Sequence, residues 1–315
     1  MLGYPQVPPA TESGKTAITF IGHSSFLIQI AGRALLIDPV FATRLILLRR
    51  QRRAGIHVAD LPPIDAVLLT HAHMDHLNLP SLRAVCRAMR KRRIVPPVAV
   101  VPNGIEDLVR NIGFSHVVSL RWWESVQLAE PPRAHACASG ASRLGVRSNA
   151  SGPESFGKSP TPVTVTAVPA RHWGARMFND THRGFGGYVL DCDTGPCIYH
   201  SGDTAYFSGF AEIRRRLQPD IALLPIGAYY PDSYRSVHTS PEEAFRAFVY
   251  VGAKLMIPMH YNTFRLGREP MDEPLPRLLR AAKAAGLENR ITPLLEGATW
   301  EQEAVDGVDR YDRLA

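Results

Sequence analysis

Short apolar runs separated by small and polar residues recur along most of the chain. The stretch AITFIGHSSFLIQIAGRALLIDPVF holds three of them, ITFIG, FLIQI and ALLID. The AGR between the second and third predicts a hairpin. DAVLLT and PPVAVVP have the length and composition of buried strands, and HVVSL and ESVQL read as further strands. LPSLRAVCRAMRKR, with an apolar face and a basic end, predicts a helix, and NGIEDLVRNIGFS a second one closed by glycine.

The second half repeats this rhythm. PVTVTAVPA, GGYVLDC, PCIYHSGD, DIALLPIG and AKLMIPMHY predict strands, and ITPLLEGATW a final one. FAEIRRRLQ, SPEEAFRAFVYVG and EPLPRLLRAAKAAGL predict helices, the second with Ser240 as N-cap and Pro241 at N1. Early strands come in hairpins and later ones alternate with helices. Two mixed sheets packed together, with helices outside, satisfy that order. Residues 130–161 lack periodicity and are rich in Ser, Gly, Ala and Pro, which reads as a mobile surface insertion. Its flanks, ESVQLAE and PVTVTAVPA, have the composition of adjacent strands of one sheet.

Composition changes this picture little. The 315 residues are 45% apolar and 21% charged, as in an ordinary globular protein with a sizeable core. The formal net charge of +7 favours anionic partners without choosing among phosphates, lipid surfaces and nucleic acid. No apolar run approaches the ~20 residues of a spanning helix. The opening MLGYPQVPPATESGK lacks the basic end and apolar middle of a signal peptide. Four cysteines are few for a disulfide framework, so buried thiols in a reduced, cytoplasmic setting are expected.

Chemistry concentrates in LLTHAHMDHLN. His71 and His73 follow the strand DAVLLT, and Asp75 and His76 lie in the turn beyond. Imidazole and carboxylate are ligands for Zn²⁺ and similar ions. A tight turn at a strand end can aim the first pair at one ion and the second at another. Three further candidates stand where an apolar strand runs out: His172 after VTVTAVP, Asp203 after IYH, and His260 after KLMIP. Strand ends are where α/β sheets place ligands.

THAHMDH, then a lone His, GDT and a late His, in that order, resembles the metallo-β-lactamase superfamily. FIGHSSFLIQIAGRALLIDPVF, PARHW, SGDTAYF, LLPIGAYYP, HTSPEEA and MHYNTF narrow the likeness to the branch containing N-acylphosphatidylethanolamine-hydrolysing phospholipase D. The ascorbate-related sugar-phosphate lactonases are more distant. The resemblance implies an α/β (α+β) fold of four layers, an αββα sandwich. It implies an N-terminal extension over 1–16 and a single hydrolase domain over 17–315. His71, His73 and His172 would hold one divalent ion, and Asp75, His76 and His260 a second, with Asp203 between them. Zinc is expected at both, although such shells also accept Fe or Mn.

Two such ions about 3.5–4 Å apart could share a hydroxide, and in-line attack on a phosphodiester would fit that geometry. The expected substrate is an anionic lipid of the N-acylphosphatidylethanolamine type. A lactonase or other ester hydrolase is the alternative, and a metal-bound nucleic-acid-binding protein without catalysis a lower one. Asp75 and Asp203 are the expected catalytic carboxylates. His238, just before the N-cap of the helix at 240–250, is a candidate proton donor or substrate clamp. His23 and Asp38 are expected to support ligands or loops through hydrogen bonds. Trp173 is expected either to wall the pocket or to lie in the core.

The chain departs from the branch at ATRLILLRRQRRAGI, residues 42–56. Leu45, Ile46, Leu47 and Leu48 precede Arg49, Arg50, Arg52 and Arg53. This segment reads equally as an apolar wedge on an anionic lipid surface or as a helix with its apolar side on the core. Peripheral membrane contact through residues 42–56 is thus one of two readings, alongside an expected cytoplasmic location. Binding of nucleic acid is not expected, and an oligomer is left open.

Overall fold

The computed structural model describes residues 5–9, 15–128, 162–177 and 179–302. The first half runs β1 (Thr16–Gly22), β2 (Ser25–Ile30), β3 (Arg33–Ile37), β4 (Arg44–Leu45), β5 (Leu48–Arg49), β6 (Ala66–Leu68), α1 (Leu79–Lys91), β7 (Val98–Pro102), α2 (Glu106–Val109) and β8 (His116–Leu120). The second runs β9 (Ser125–Leu128), β10 (Val163–Val168), β11 (Gly187–Asp191), β12 (Ile198–His200), α3 (Gly209–Leu217), β13 (Ile221–Pro225), α4 (Pro241–Val251), β14 (Leu255–Met259), α5 (Pro274–Ala284) and β15 (Thr299–Gln302).

Period-2 patterning assigns each strand face to a layer. On β2, Phe26, Ile28 and Ile30 pack against Val165, Leu190 and Leu223 of the opposite sheet. Leu27, on the other face, packs with Leu82, Val85 and Met89 of α1. On the second sheet, Val189, Tyr199 and Leu224 turn outward to Phe210 of α3, Phe248 of α4 and Leu278 of α5. The order is therefore helices, sheet, sheet, helices. It forms because strands with two apolar faces must be covered on both.

The two sheets share a connection pattern. One has the order β15-β1-β2-β3-β6-β7-β8 and the other β14-β13-β12-β11-β10-β9. In each, antiparallel neighbours give way to parallel ones: β3 to β6, β7 and β8 in the first, β12 to β13 and β14 in the second. Parallel strands end on the same edge. The loops after β3, β6, β12 and β14 therefore leave from a common side, which gathers Asp38, His71, Asp203 and His260. The predicted AGR hairpin joins β2 to β3, with Ala31 at φ 52° and Gly32 at φ 75°. The strands flanking the predicted insertion, β9 and β10, pair antiparallel. The insertion itself lies outside the described residues.

Several elements differ from expectation. Residues 42–56 form neither a helix nor a continuous apolar wedge. β4 and β5 make a small hairpin in which Leu45 is buried against Val40 and Phe264. Arg50 is not a surface arginine; its guanidinium donates to Val40 O at 2.7 Å, Ile21 O at 3.1 Å and Arg52 O at 2.7 Å. NGIEDLVRNIGFS makes only the single turn Glu106–Val109. The strand expected over ITPLLEGATW is confined to β15, because only Thr299–Gln302 meet β1 in register. Ser240 is the expected N-cap and forms a capping box with Glu243. No helix among the described residues is long and apolar enough to cross a membrane.

Two stability outcomes follow from these contacts. Phe26→Ala, which empties a fully buried site between the sheets, should lower unfolding free energy by about 3–5 kcal/mol in a urea titration. Ser240→Ala should cost about 1 kcal/mol by loss of the cap.

Candidate metal centre

Seven side chains singled out in the sequence meet at the edge where the parallel strands end. Asp203 lies at the middle, on the turn after β12. Its Oδ2 is 3.0 Å from His260 Nε2 and 3.2 Å from His76 Nε2. It is 3.9 Å from His71 Nε2, His172 Nε2 and His238 Nδ1 alike. Asp75 Oδ2 stands 3.7 Å from both His76 Nε2 and His260 Nε2. The donor atoms fall into four overlapping groups among the described residues: His71, His73 and His172; His23, Asp75, His76 and His260; His71, His76 and Asp203; and His172, Asp203 and His238, each within 4.8 Å.

Hydrogen bonds around the rim decide which ring nitrogen faces inward. Asp38 accepts from the backbone N–H of Thr70 at 2.8 Å and from its hydroxyl at 2.6 Å. The single hydroxyl proton of Thr70 is thereby committed, so the 2.9 Å contact to His71 Nδ1 has the ring N–H donating to Thr70 Oγ1. His76 Nδ1 donates to Asp38 Oδ2 at 2.7 Å, and His172 Nδ1 to Val237 O at 2.9 Å. In the neutral tautomers these bonds select, His71, His76 and His172 present Nε2 lone pairs to the interior. That is how a metal-ligating histidine is ordinarily oriented.

The interior lacks the partners such atoms need. His71 Nε2, His76 Nε2, His260 Nε2 and Asp203 Oδ1 are buried and make no hydrogen bond among the described residues. The short His76–Asp203 and His260–Asp203 separations are thus close contacts outside hydrogen-bonding geometry. His172 Nε2 and His73 Nδ1 lie 3.2 Å apart, so both rings turn a nitrogen to the same space. Orphaned donors of this kind fit divalent cations.

Electrostatics agree. Burial opposes the charged forms of Asp75 and Asp203, but facing imidazoles outweigh it and hold both carboxyls well below their ordinary range. Burial keeps His71 neutral and lowers His172 to about 3. Burial also opposes charge on His76 and His260. There the carboxylates, Asp203 foremost, prevail, raising His76 well above its usual value and His260 to about 9.

The supporting residues stand where the sequence pointed. His23 Nε2 donates to Asp75 Oδ2 at 2.9 Å, and Asp38 links Thr70 to His76. Trp173 is half-exposed and stacks on His172 at 5.3 Å with an interplanar angle of 6°. It walls a cleft of about 570 Å³ with His73, Arg176, Met177 and Phe185, so it is not a core residue. His238 sits beside His172 and His260, and burial lowers it to about 4.

Three contributors were not foreseen. Thr70, the residue before His71, was legible as a hydroxyl beside a ligand candidate. Arg176, which donates to Ala72 O at 2.7 Å and Leu77 O at 2.9 Å and so braces the histidine turn, carried no local signal. His200 donates from Nε2 to Ser24 O at 3.0 Å and accepts from Gly202 N–H at 3.1 Å, tying the His23 turn to the Asp203 turn. Gly202 itself is required. Its φ is +61°, and a Cβ would stand 2.6 Å from Gly186 O and 2.9 Å from Thr70 Cβ.

Residues 33–261 match the family described as Beta-lactamase superfamily domain. The chain belongs to the beta-lactamase superfamily. An uncharacterised protein of Mycobacterium tuberculosis is 31% identical over 288 residues, covering 86% of this chain and 65% of the relative. The mitochondrial N-acyl-phosphatidylethanolamine-hydrolyzing phospholipase D of Saccharomyces cerevisiae is 26% identical over 300 residues, covering 92% and 57%. The chain thus spans roughly six-tenths of these superfamily relatives. Among solved structures, the metallo hydrolase Igni18 of Ignicoccus hospitalis has a TM-score of 0.61 at 22% identity, covering 92% of this chain and 99% of that one. The shared architecture is the metallo-β-lactamase fold.

The raised histidines set a pH dependence for cation uptake. His76 and His260 are protonated at pH 7 in the metal-free protein and must lose those protons to ligate. Affinity for Zn²⁺ should therefore rise between about pH 6 and 9, with proton release detected by calorimetry in buffers of different ionisation enthalpy. A pH-independent affinity contradicts the assignment. Asp203→Ala should lose at least one metal equivalent by elemental analysis, and a metal-replete variant contradicts a shared role for that carboxylate.

Proposed function

We propose that this chain is a metal-dependent hydrolase of phosphodiesters, acting on an anionic phospholipid of the N-acylphosphatidylethanolamine type. One observation carries the reading: two groups of donor atoms, with His71, His76 and His260 Nε2 buried and unpartnered among the described residues, meet at Asp203, and His73 and His172 open from them onto an apolar cleft. His71, His73 and His172 would hold one ion, and Asp75, His76 and His260 the other. Zinc suits this donor set, and the shells also accept Fe or Mn. Divalent cations supply Lewis acidity and bring the pKa of water near neutrality.

The protein's own groups position the reaction. His23 donates to Asp75 Oδ2 and holds that carboxylate in place, facing His76 and His260. His238 enters as a neutral imidazole, because its pKa lies near 4. That favours a hydrogen-bonding clamp on a substrate oxygen over a proton reservoir. Trp173, Met177 and Phe185 line a cleft wide enough for a hydrocarbon substituent. The similarity to the yeast enzyme supports a lipid diester.

A second reading, hydrolysis of a lactone or carboxylic ester, draws on a specific feature. The arginine of the cleft, Arg176, is engaged by two backbone carbonyls. Among the residues lining the cleft no other cation stands free to meet a phosphate, which suits a neutral ester as well.

Parallel assays separate the two. Metal-replete protein, its content verified by elemental analysis, is given a soluble phosphodiester, N-acylphosphatidylethanolamine in mixed micelles, and an acyl lactone. Turnover of both diesters, with the lactone about tenfold slower or worse, is the expected result; the reverse order assigns the site to carbonyl esters. His238→Gln should lower kcat/KM roughly 10²-fold with metal content unchanged.

A further inference from the structure

The β4–β5 hairpin breaks the ordinary rules for an exposed turn. Leu45 pairs with Leu48, leaving Ile46 and Leu47 as a two-residue loop. Ile46 has φ 52°, a left-handed backbone that favours glycine and is rare for a β-branched residue. Ile46 is 71% and Leu47 88% exposed, the latter the most exposed large apolar side chain among the described residues. Behind them Arg44 and Arg49 face each other as a cross-strand pair. Both are exposed, and neither has an ion pair among the described residues. Like charges directly opposite one another destabilise a ribbon.

Three costs thus coincide within six residues: backbone strain, two aliphatic chains in water, and facing positive charges. The stem sustains them. Leu45 is buried with Val40 and Phe264, and Arg50 ties the base to Val40 O and Ile21 O. Strain of this kind persists where the surroundings over-determine it, and it clusters at functional positions.

We propose that the tip of this hairpin docks on an anionic lipid surface, Ile46 and Leu47 entering the acyl boundary while Arg44 and Arg49 meet headgroup phosphates. A negative layer lying directly over hydrocarbon relieves the exposed chains and the paired charges together. The stem also places this contact beside the candidate metal centre. Phe264, which packs on Leu45, stands edge-on to His23 with ring centroids 5.3 Å apart. Docking is a binding property independent of turnover; only its use in presenting a lipid substrate rests on the hydrolase reading.

Vesicle co-sedimentation tests the proposal on the full chain, using phosphatidylcholine alone and an equimolar mixture with phosphatidylglycerol. Wild-type protein should partition at least about tenfold more onto the anionic vesicles, less so at high salt. Arg44→Gln/Arg49→Gln and Ile46→Gly/Leu47→Ser should each reduce that partition about tenfold. Ile46→Gly alone should hold or raise Tm, since it relieves the strained turn, while binding falls. Variants that sediment like wild type, or a wild type indifferent to headgroup charge, overturn the proposal. All of these variants should keep their turnover of a soluble diester. If the protein is inert towards every ester, co-sedimentation still decides whether the hairpin docks, because binding is read without catalysis.

Discussion

Asp203 holds a carboxylate where water is almost wholly excluded, within 3.9 Å of five imidazole nitrogens. A buried charge costs several kcal/mol unless it is paired and hydrogen-bonded. One of its oxygens has no hydrogen-bond partner among the described residues. Positive charge must therefore collect around it. In the metal-free protein, protons on His76 and His260 meet that requirement; divalent cations would meet it too, and would give the orphaned lone pairs a partner. The surrounding structure reads as a device for keeping this carboxylate buried and its neighbours aimed at one place.

That device is distributed over both halves of the sandwich. The first sheet contributes Asp38, Thr70, His71 and His76 from the ends of β3 and β6. The second contributes His172, Asp203 and His260 from β10, β12 and β14. Neither half alone encloses the carboxylate. The inter-sheet core, with Phe26, Ile28, Val165 and Leu223 fully buried, sets how closely the two sets of loops approach. Crosslinks then refine the positions: His200 bridges the turns bearing His23 and Asp203, and Arg176 braces the turn bearing His73. Side chains held this way have little freedom to follow a mobile substrate, which suits a centre whose geometry precedes binding.

The hairpin at 44–49 follows the opposite logic. Where the metal edge turns its orphaned donors inward on one shared space, the hairpin tip turns its unmet demands outward. Local violations without an internal compensation are concentrated where a protein meets something else. Their closeness to His23, through Phe264, links the exposed ribbon to the chemistry by contact between packed side chains.

Much of this was legible in the linear chain because it depends on short-range periodicity. Strand-length apolar runs ended in His71, His172, Asp203 and His260, and parallel strands ending together made those endings meet. The capping box at Ser240 and the turn at Ala31–Gly32 were equally local. Residues 42–56 were not legible, since a run of four aliphatic residues is compatible with helix, wedge or hairpin until Val40 and Phe264 bury one of the four. Nor were Arg50, Arg176 and His200, whose partners lie across the fold. The chain by itself determined which residues could ligate and the layer order that gathers them. Tertiary structure alone decided which nitrogen of each ring faces inward, because that rests on which oxygen, of Thr70, Asp38 or Val237, accepts the proton of the ring's other nitrogen.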